Sequence, residues 1–268
     1  MISITWFGTA TILIKSNDKN ILFDPFIRYS KLNDIEYINR LSNFKNILIT
    51  HGHIDHTLHL EKLYKNKCAK IYCTNSPYNR LHKKMNNLVK IKYNDSIKIN
   101  NFNIKVLPGK HIKFDLKLIF KTLFNKNIIK YFSNLVYLSF NHIKCRENKE
   151  TVIYYIEINN IKILLMGSME LNNIDYPKNV DYLILPFQGR SDLDKKVIPI
   201  IDKIKPKKIF LSHFDNSFPP ISTNVSTSTI KRNYKNIIIP EYELEYIIKK
   251  WYNIFVIIWK KENLKTYL

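Results

Sequence analysis

The apolar positions of this chain fall into two rhythms, and their alternation outlines the fold. Short, β-rich apolar runs occupy residues 2–6, 10–15 and 20–24, and Asn17-Asp18-Lys19-Asn20 turns between the last two. A buried strand is expected at 46–50 and a helix from Tyr78 to Met85, after a Ser-Pro start. Strands are expected at 88–93, 97–99 and 102–107, with Asn100-Asn101 as a hairpin turn. The second part repeats the style. Thr151 to Ile158 and Lys162 to Met166 form a hairpin around Asn159-Asn160, and Asp181 to Pro186 and Lys208 to Ser212 are further strands. Asp192 to Ile204 reads as a helix with Val197, Ile198, Ile201 and Ile204 on one face, and Tyr242 to Trp251 as another helix. Two sets of strands, each followed by helices, predict an α/β protein with two sheets face to face and helices outside. No internal repeat or low-complexity linker interrupts the pattern.

The stretch 112–140 breaks the rhythm. Ile112, Leu116, Ile119, Phe120 and Leu123 recur at helical spacing, with Lys113, Lys117 and Lys121 on another face. After Asn125-Lys126-Asn127 a second pattern runs through Ile128, Ile129, Phe132, Leu135 and Val136. This predicts an inserted helical hairpin. A basic amphipathic hairpin can lie on an anionic membrane surface, cap an active site or pack on the core; packing or a lid is the preferred reading.

Composition adds bounds. The chain has 268 residues and is 45% apolar, enough for a substantial core in one large domain or two small ones. Cys68, Cys73 and Cys145 form no C-x-x-C pair, which argues against a disulfide framework or a thiolate zinc site and fits a reducing cytoplasm. The chain enters a strand at once, so no secretory leader is expected, and no apolar run is long enough to span a bilayer. The formal net charge is +21, which favours anionic partners. The lysines are spread throughout rather than gathered, so the charge also reads as a bias of the whole chain, and a nucleic-acid partner is not favoured.

The candidate chemistry is concentrated in His51-Gly52-His53-Ile54-Asp55-His56, where the strand 46–50 empties into a loop. Imidazoles and a carboxylate in such density are a ligand set for zinc and similar divalent ions. His111 follows a strand and the turn Pro108-Gly109, and His213 follows the strand 208–212, so both also sit where loops leave a rigid scaffold. His59 and His82 are expected at the surface, while His142 would face the cleft if the insertion is a lid. No Ser-His-Asp or Cys-His arrangement or Gly-rich phosphate loop is present.

These residues, in this order, resemble the metallo-β-lactamase superfamily. The segments Thr5-Trp6-Phe7-Gly8-Thr9-Ala10-Thr11, Ile21-Leu22-Phe23-Asp24-Pro25 and His213-Phe214-Asp215-Asn216-Ser217-Phe218 are similar to the branch containing L-ascorbate-6-phosphate lactonase. The resemblance spans nearly the whole chain. It implies one domain over 1–268, a four-layer αββα sandwich with an insertion at 112–150, and a metal site at one edge of the sheets. It further implies that His51, His53 and His111 hold one ion, that Asp55, His56 and His213 contribute to a second, and that Asp55 and His213 are catalytic. Zinc is the expected metal, with manganese as an alternative. Asp24 is a candidate acceptor that orients a ligand histidine, or a plain strand-end residue.

One departure matters. Where the family usually carries a metal-bridging aspartate, this chain has Gly167-Ser168-Met169-Glu170. A serine hydroxyl is neutral and bridges poorly, so the site is expected to hold either one ion or two bridged by water, with Glu170 as a weaker substitute. The leading expectation is a metal-dependent hydrolase that turns an activated water or hydroxide on a small, anionic lactone, ester or phosphoester. The alternatives are a phosphodiesterase of membrane phospholipid, peripheral to the membrane through 112–140, a nuclease, and a metal-binding domain without turnover. Nothing in the sequence indicates an oligomeric state.

Overall fold

The computed structural model describes residues 1–250 except 114, 116–123 and 125–126. Most of the first arm expected for the inserted hairpin therefore lies outside the described residues, as do Trp251 and the residues after it.

Two seven-stranded mixed sheets face each other. The first is built from β1 (Ile2–Gly8), β2 (Thr11–Ser16), β3 (Lys19–Phe23), β4 (Asn46–Leu48), β5 (Lys70–Cys73) and β6 (Leu88–Lys90), with β14 (Glu245–Ile248) at its edge beside β1. The second runs from β7 (Ser96–Ile99) through β8 (Phe102–Pro108), β9 (Val152–Ile158), β10 (Ile161–Met166), β11 (Tyr182–Pro186) and β12 (Lys208–Ser212) to β13 (Ile237–Ile238). In each sheet hairpins give way to parallel strands, β3 to β6 in one and β10 to β13 in the other. The parallel strands carry apolar residues on both faces, as strands covered on both sides must. Ile163, Leu165 and Ile184 point to the layer between the sheets, where they meet Ile4, Ile12, Ile14 and Phe23. Their neighbours Leu164, Leu183 and Leu185 point outward.

Helices cover both outer faces. On the first sheet lie α1 (Ile35–Ser42), α3 (Leu60–Tyr64) and α4 (Asn75–Leu81), through Tyr37, Leu41, Leu60, Leu63 and Leu81. The short α2 (Ile54–Thr57) precedes α3. On the second sheet lie α7 (Leu193–Ile204) and α8 (Ser228–Asn233). Between β8 and β9 the chain carries α5 (Asn127–Lys130) and α6 (Phe132–Lys144). The result is the four-layer αββα arrangement.

Several expectations need correction. The segment read as a helix from Tyr242 holds β14 instead, paired antiparallel to β1 with Ile4 opposite Tyr246 and Ile2 opposite Ile248. Its alternation settles the matter: Tyr246 and Ile248 turn to the core while Ile247 is 58% exposed, and the open edge of β1 supplies the backbone partners. The buried face of α7 is Leu193, Val197, Ile200 and Ile204, whereas Ile198 faces solvent. The helix expected from Tyr78 begins earlier, at Asn75. Helix α1, fixed by the Asp34 side chain accepting the Tyr37 N–H at 2.9 Å, has no counterpart in the sequence reading, and neither has β5. The hairpin turns close on residues in the left-handed region, most of them asparagines, among them Asn17, Asn100, Asn159 and Asn160.

His59, expected at the surface, is buried. Its Nδ1 accepts the Ile27 N–H at 3.0 Å and its ring lies against Phe26. Burial, helped by Lys62, pushes the imidazole from its ordinary 6.5 down to about 3. The unfolded chain thus binds a proton below about 6.5 that the folded chain refuses until about 3, so acid lowers stability across that window. In His59→Asn, whose side-chain oxygen can accept the same N–H, the fall in melting temperature between pH 6.5 and pH 3 is expected to be smaller than in the parent, by a stability difference on the order of a few kcal/mol. Equal falls in the two proteins would exclude His59 as the source. His82 is exposed as expected, on the Tyr78 and Asn79 carbonyls.

Candidate metal centre

Strand ends from both sheets converge on one cavity. The exit of β4 supplies His51 and His53, with Thr50 behind them, and α2 supplies Asp55 and His56. The exits of β8, β10, β11 and β12 supply His111, Ser168, Gln188 and His213. The ligand atoms of His51, His53 and His111 lie within 4.8 Å of one another, and so do those of Asp55, His56 and His213. The His51 ring stands 3.9 Å from that of His56 and 5.1 Å from that of His111, so the two triads adjoin.

Close backbone approaches set the loop. A Cβ at Gly52 would run into the Arg146 carbonyl, and one at Gly167 would run into the Thr50 side chain. The first glycine lets the end of the insertion seal against the histidine run; the second lets β10 pass beside it. His213 adopts φ 58°, a costly conformation for a residue with a Cβ, and its N–H donates to the Thr9 carbonyl at 2.8 Å. Asp215 holds this turn in place by accepting the Thr9 N–H, the Ser217 hydroxyl and the Tyr242 hydroxyl.

Hydrogen bonds behind the rings decide which nitrogen faces the cavity. Asp24 accepts the Thr50 N–H at 2.7 Å and the Thr50 hydroxyl at 2.7 Å. With its proton committed to Asp24, Thr50 Oγ1 can only accept from His51 Nδ1 at 3.0 Å. Asp24 also takes His56 Nδ1 at 2.9 Å. On the other side Gln188 donates its amide to the Asp215 and Thr223 carbonyls, which turns its Oε1 toward His213 Nδ1 at 2.7 Å. In all three rings Nδ1 donates to an acceptor behind the ring, which leaves Nε2 as the nitrogen that faces the cavity. For His51 that Nε2 is buried with no hydrogen-bond partner. For His213 it faces Asp55 Oδ2 at 2.7 Å, lone pair against anion unless a proton or a metal cation sits between.

The electrostatics agree. Burial, reinforced by neighbouring imidazoles, pushes His51 well below the usual range, and it pushes His53 down to about 4 against the pull of Asp55. Burial lowers His111 as well. These rings are neutral at pH 7, the form that binds metal. Burial would raise Asp55, but His56 and the His213 hydrogen bond outweigh it and hold the carboxyl well below its ordinary range. Burial would lower His56, but Asp24 and Asp55 outweigh it and raise it. Positive charge is thus favoured next to Asp55, and an orphaned nitrogen donor waits beside it. The residues fit a divalent ion.

The structure thereby brings together His51, His53, Asp55, His56, His111 and His213, with Asp24 behind two of them. Ser168 lines the cavity, and its hydroxyl accepts the Ile112 N–H at 3.0 Å. Glu170 is different. It pairs with Lys110, which lies opposite it in an isolated bridge, and it does not line the cavity. His142 does line it, its ring stacked on His53 at 6.0 Å, so α6 forms one wall. The sequence reading passed over Thr50 and Gln188. Their signal was position: each lies at the exit of a parallel strand, where loops collect function.

Gln188→Leu removes the acceptor that fixes His213 and is expected to weaken metal binding by about 10- to 100-fold. Competition with a chelating dye measures it. Unchanged affinity would mean that His213 is oriented by other means.

An αββα sandwich with paired histidine and aspartate triads at one edge defines a class of metal-binding domains. The chain belongs to the β-lactamase superfamily: residues 3–213 match the Beta-lactamase superfamily domain. A metal-dependent hydrolase of Sulfolobus acidocaldarius is 24% identical over 248 residues, which cover 89% of this chain and 96% of that protein. Among solved structures, Igni18, a metallo hydrolase from the archaeon Ignicoccus hospitalis, aligns over 92% of this chain and 99% of its own, with a TM-score of 0.63 and 16% identity. The metallo-β-lactamase fold protein YhfI from Bacillus subtilis aligns over 91% and 98%, with a TM-score of 0.61 and 13% identity. At these identities the two structures are similar to this chain in fold.

Proposed function

We propose that the chain is a metal-dependent hydrolase of a small ester, lactone or phosphoester. The observation that carries this reading is the set of fixed imidazole tautomers, each presenting Nε2 to a cavity that also holds an ionised Asp55. His51, His53 and His111 would hold one ion, and Asp55, His56 and His213 would contribute to a second. Zinc suits this nitrogen-rich donor set, and manganese is the alternative. A divalent ion bound there supplies Lewis acidity to a substrate oxygen and acidifies a water molecule.

The chain's own groups supply the rest. In a one-ion centre, Asp55, kept ionised by its imidazole neighbours, would be free to accept the proton of the attacking water. His213 Nε2, 2.7 Å from it and then also free of metal, would be placed to relay that proton toward the leaving oxygen. Ile112, Met169, Phe218, Ile221 and Val225 give the cavity apolar walls, and Arg190 also lines it, its guanidinium paired with Asp192. This supports a substrate with an apolar body, and the net charge of +21 favours one that carries an anionic group. With Ser168 bonded to a backbone N–H, Asp55 is the one carboxylate among the described residues that line the cavity. The three unpaired cysteines support a reducing, cytoplasmic setting.

The test has two parts. Elemental analysis of the purified protein counts zinc and manganese per chain, separating one-ion from two-ion centres. A panel of lactones, esters and phosphodiesters then identifies the bond cleaved. A fully loaded protein inert toward the panel, with no open coordination position, would favour metal binding without turnover.

A further inference from the structure

Helix α6 turns its apolar side away from the protein. Leu138 and Cys145 bury themselves with Phe26, Ile54 and Phe218, and this fixes the helix on the body of the molecule. Opposite Leu138, Phe132, Val136, Phe140 and Ile143 follow at spacings of four, four and three, which places them along one side of a helix. Phe132 is 62% exposed, Phe140 67% and Ile143 63%. Tyr137, beside this line, is 51% exposed, and Ile129 on α5 is 87% exposed. Single exposed apolar residues need no explanation; an aligned series of them does.

The charges carried by the helical segment itself have one sign. From 127 to 146 the chain contains Lys130, Lys144 and Arg146 and no carboxylate. Lys130 and Lys144 are exposed at the two ends of the ridge. A second copy of this chain, with its own net charge of +21, would bring like charges together there. A ridge of Phe and Ile flanked by Lys has the chemistry of a helix lying in the interface of an anionic bilayer, apolar side among the acyl chains and ammonium groups among the headgroups.

We propose that the outer face of α6 is a docking surface for anionic lipid. His142, next in sequence to Ile143, faces the cavity from the same helix. Docking therefore brings the cavity wall close to the headgroup layer, where an amphiphilic anionic substrate would be met.

Co-sedimentation of the full chain with vesicles tests this, independently of any hydrolysis. Vesicles of phosphatidylglycerol in phosphatidylcholine are expected to bind the protein, and pure phosphatidylcholine vesicles far less. The double variant F140S/I143S is expected to lose at least about tenfold in partitioning, since each side chain carries enough apolar area to matter. Its far-UV spectrum and melting temperature, which exposed positions should leave unchanged, show that it remains folded. K130Q/K144Q is expected to keep the ridge but lose the preference for anionic lipid. Failure to bind anionic vesicles overturns the proposal. So does undiminished binding of F140S/I143S, which would put the contact elsewhere, for instance on residues 251–268. A dimer that F140S/I143S abolishes, without vesicle binding in the parent, would make a second copy the occupant and overturn it too.

Discussion

His53→Ala is expected to lower kcat/KM for the substrate found by the panel by at least about a thousandfold. The argument is local. His53 stands at the start of α2, its ring 4.9 Å from that of His51 and 4.3 Å from that of His111. With His53 gone, two imidazoles would remain to hold an ion there, so it would be bound more weakly and a smaller share of the protein would carry an activated water. Burial already keeps His53 neutral, with a pKa of about 4, so its loss removes a donor and no charge. The ring belongs to none of the apolar clusters, so the fold should persist, and a melting curve checks that. Metal content should fall in parallel with activity. An H53A protein that is folded and fully active would exclude the proposed centre.

Asp24→Asn is expected to have the largest effect on stability, a loss on the order of 3 kcal/mol, together with metal binding weakened by about 10- to 100-fold. The buried carboxylate accepts from the Thr50 N–H, the Thr50 hydroxyl and His56 Nδ1. An asparagine of the same shape keeps one acceptor oxygen, which suits the Thr50 N–H. Its amide then points two donors at the hydroxyl and the imidazole. The hydroxyl can rotate, but His56 must move its proton to Nε2, the nitrogen that faces the cavity. A single-atom change should thus be read twice, as a lower denaturation midpoint and as a lower affinity for zinc. If stability falls while affinity holds, Asp24 is structural and the tautomer argument for His56 fails.

The parts of this protein that the sequence made legible are those where a local pattern and a three-dimensional role coincide. A buried strand running into three histidines and an aspartate is visible in one line of text. His111 and His213 were readable for the same reason, since each follows an apolar strand. Thr50, Gln188 and His59 were not, because their roles lie in what they face. Nothing near Gln188 in sequence announces His213, and nothing near His59 announces the Ile27 N–H. Glu170 had the right chemistry, but β10 aims it at Lys110, and its neighbour Ser168 takes the place beside the cavity. The strand β14 was misread because an apolar run of three residues, Tyr246-Ile247-Ile248, suits either period, and only the open edge of β1 decides between them.

The asparagine turns have a consequence of their own. With five glycines in 268 residues, the chain needs another residue for left-handed backbone, and asparagine fills eight of the fourteen such non-glycine positions among the described residues. Asparagine tolerates this conformation because its short amide can bond to nearby backbone, whereas lysine or isoleucine there gives up about 1–2 kcal/mol. Those two residues are abundant everywhere else in the sequence. The tolerance map of this protein should therefore look inverted. Many buried aliphatic positions would accept another aliphatic residue, while a run of polar, exposed turn positions would resist drift toward the chain's own favourite letters.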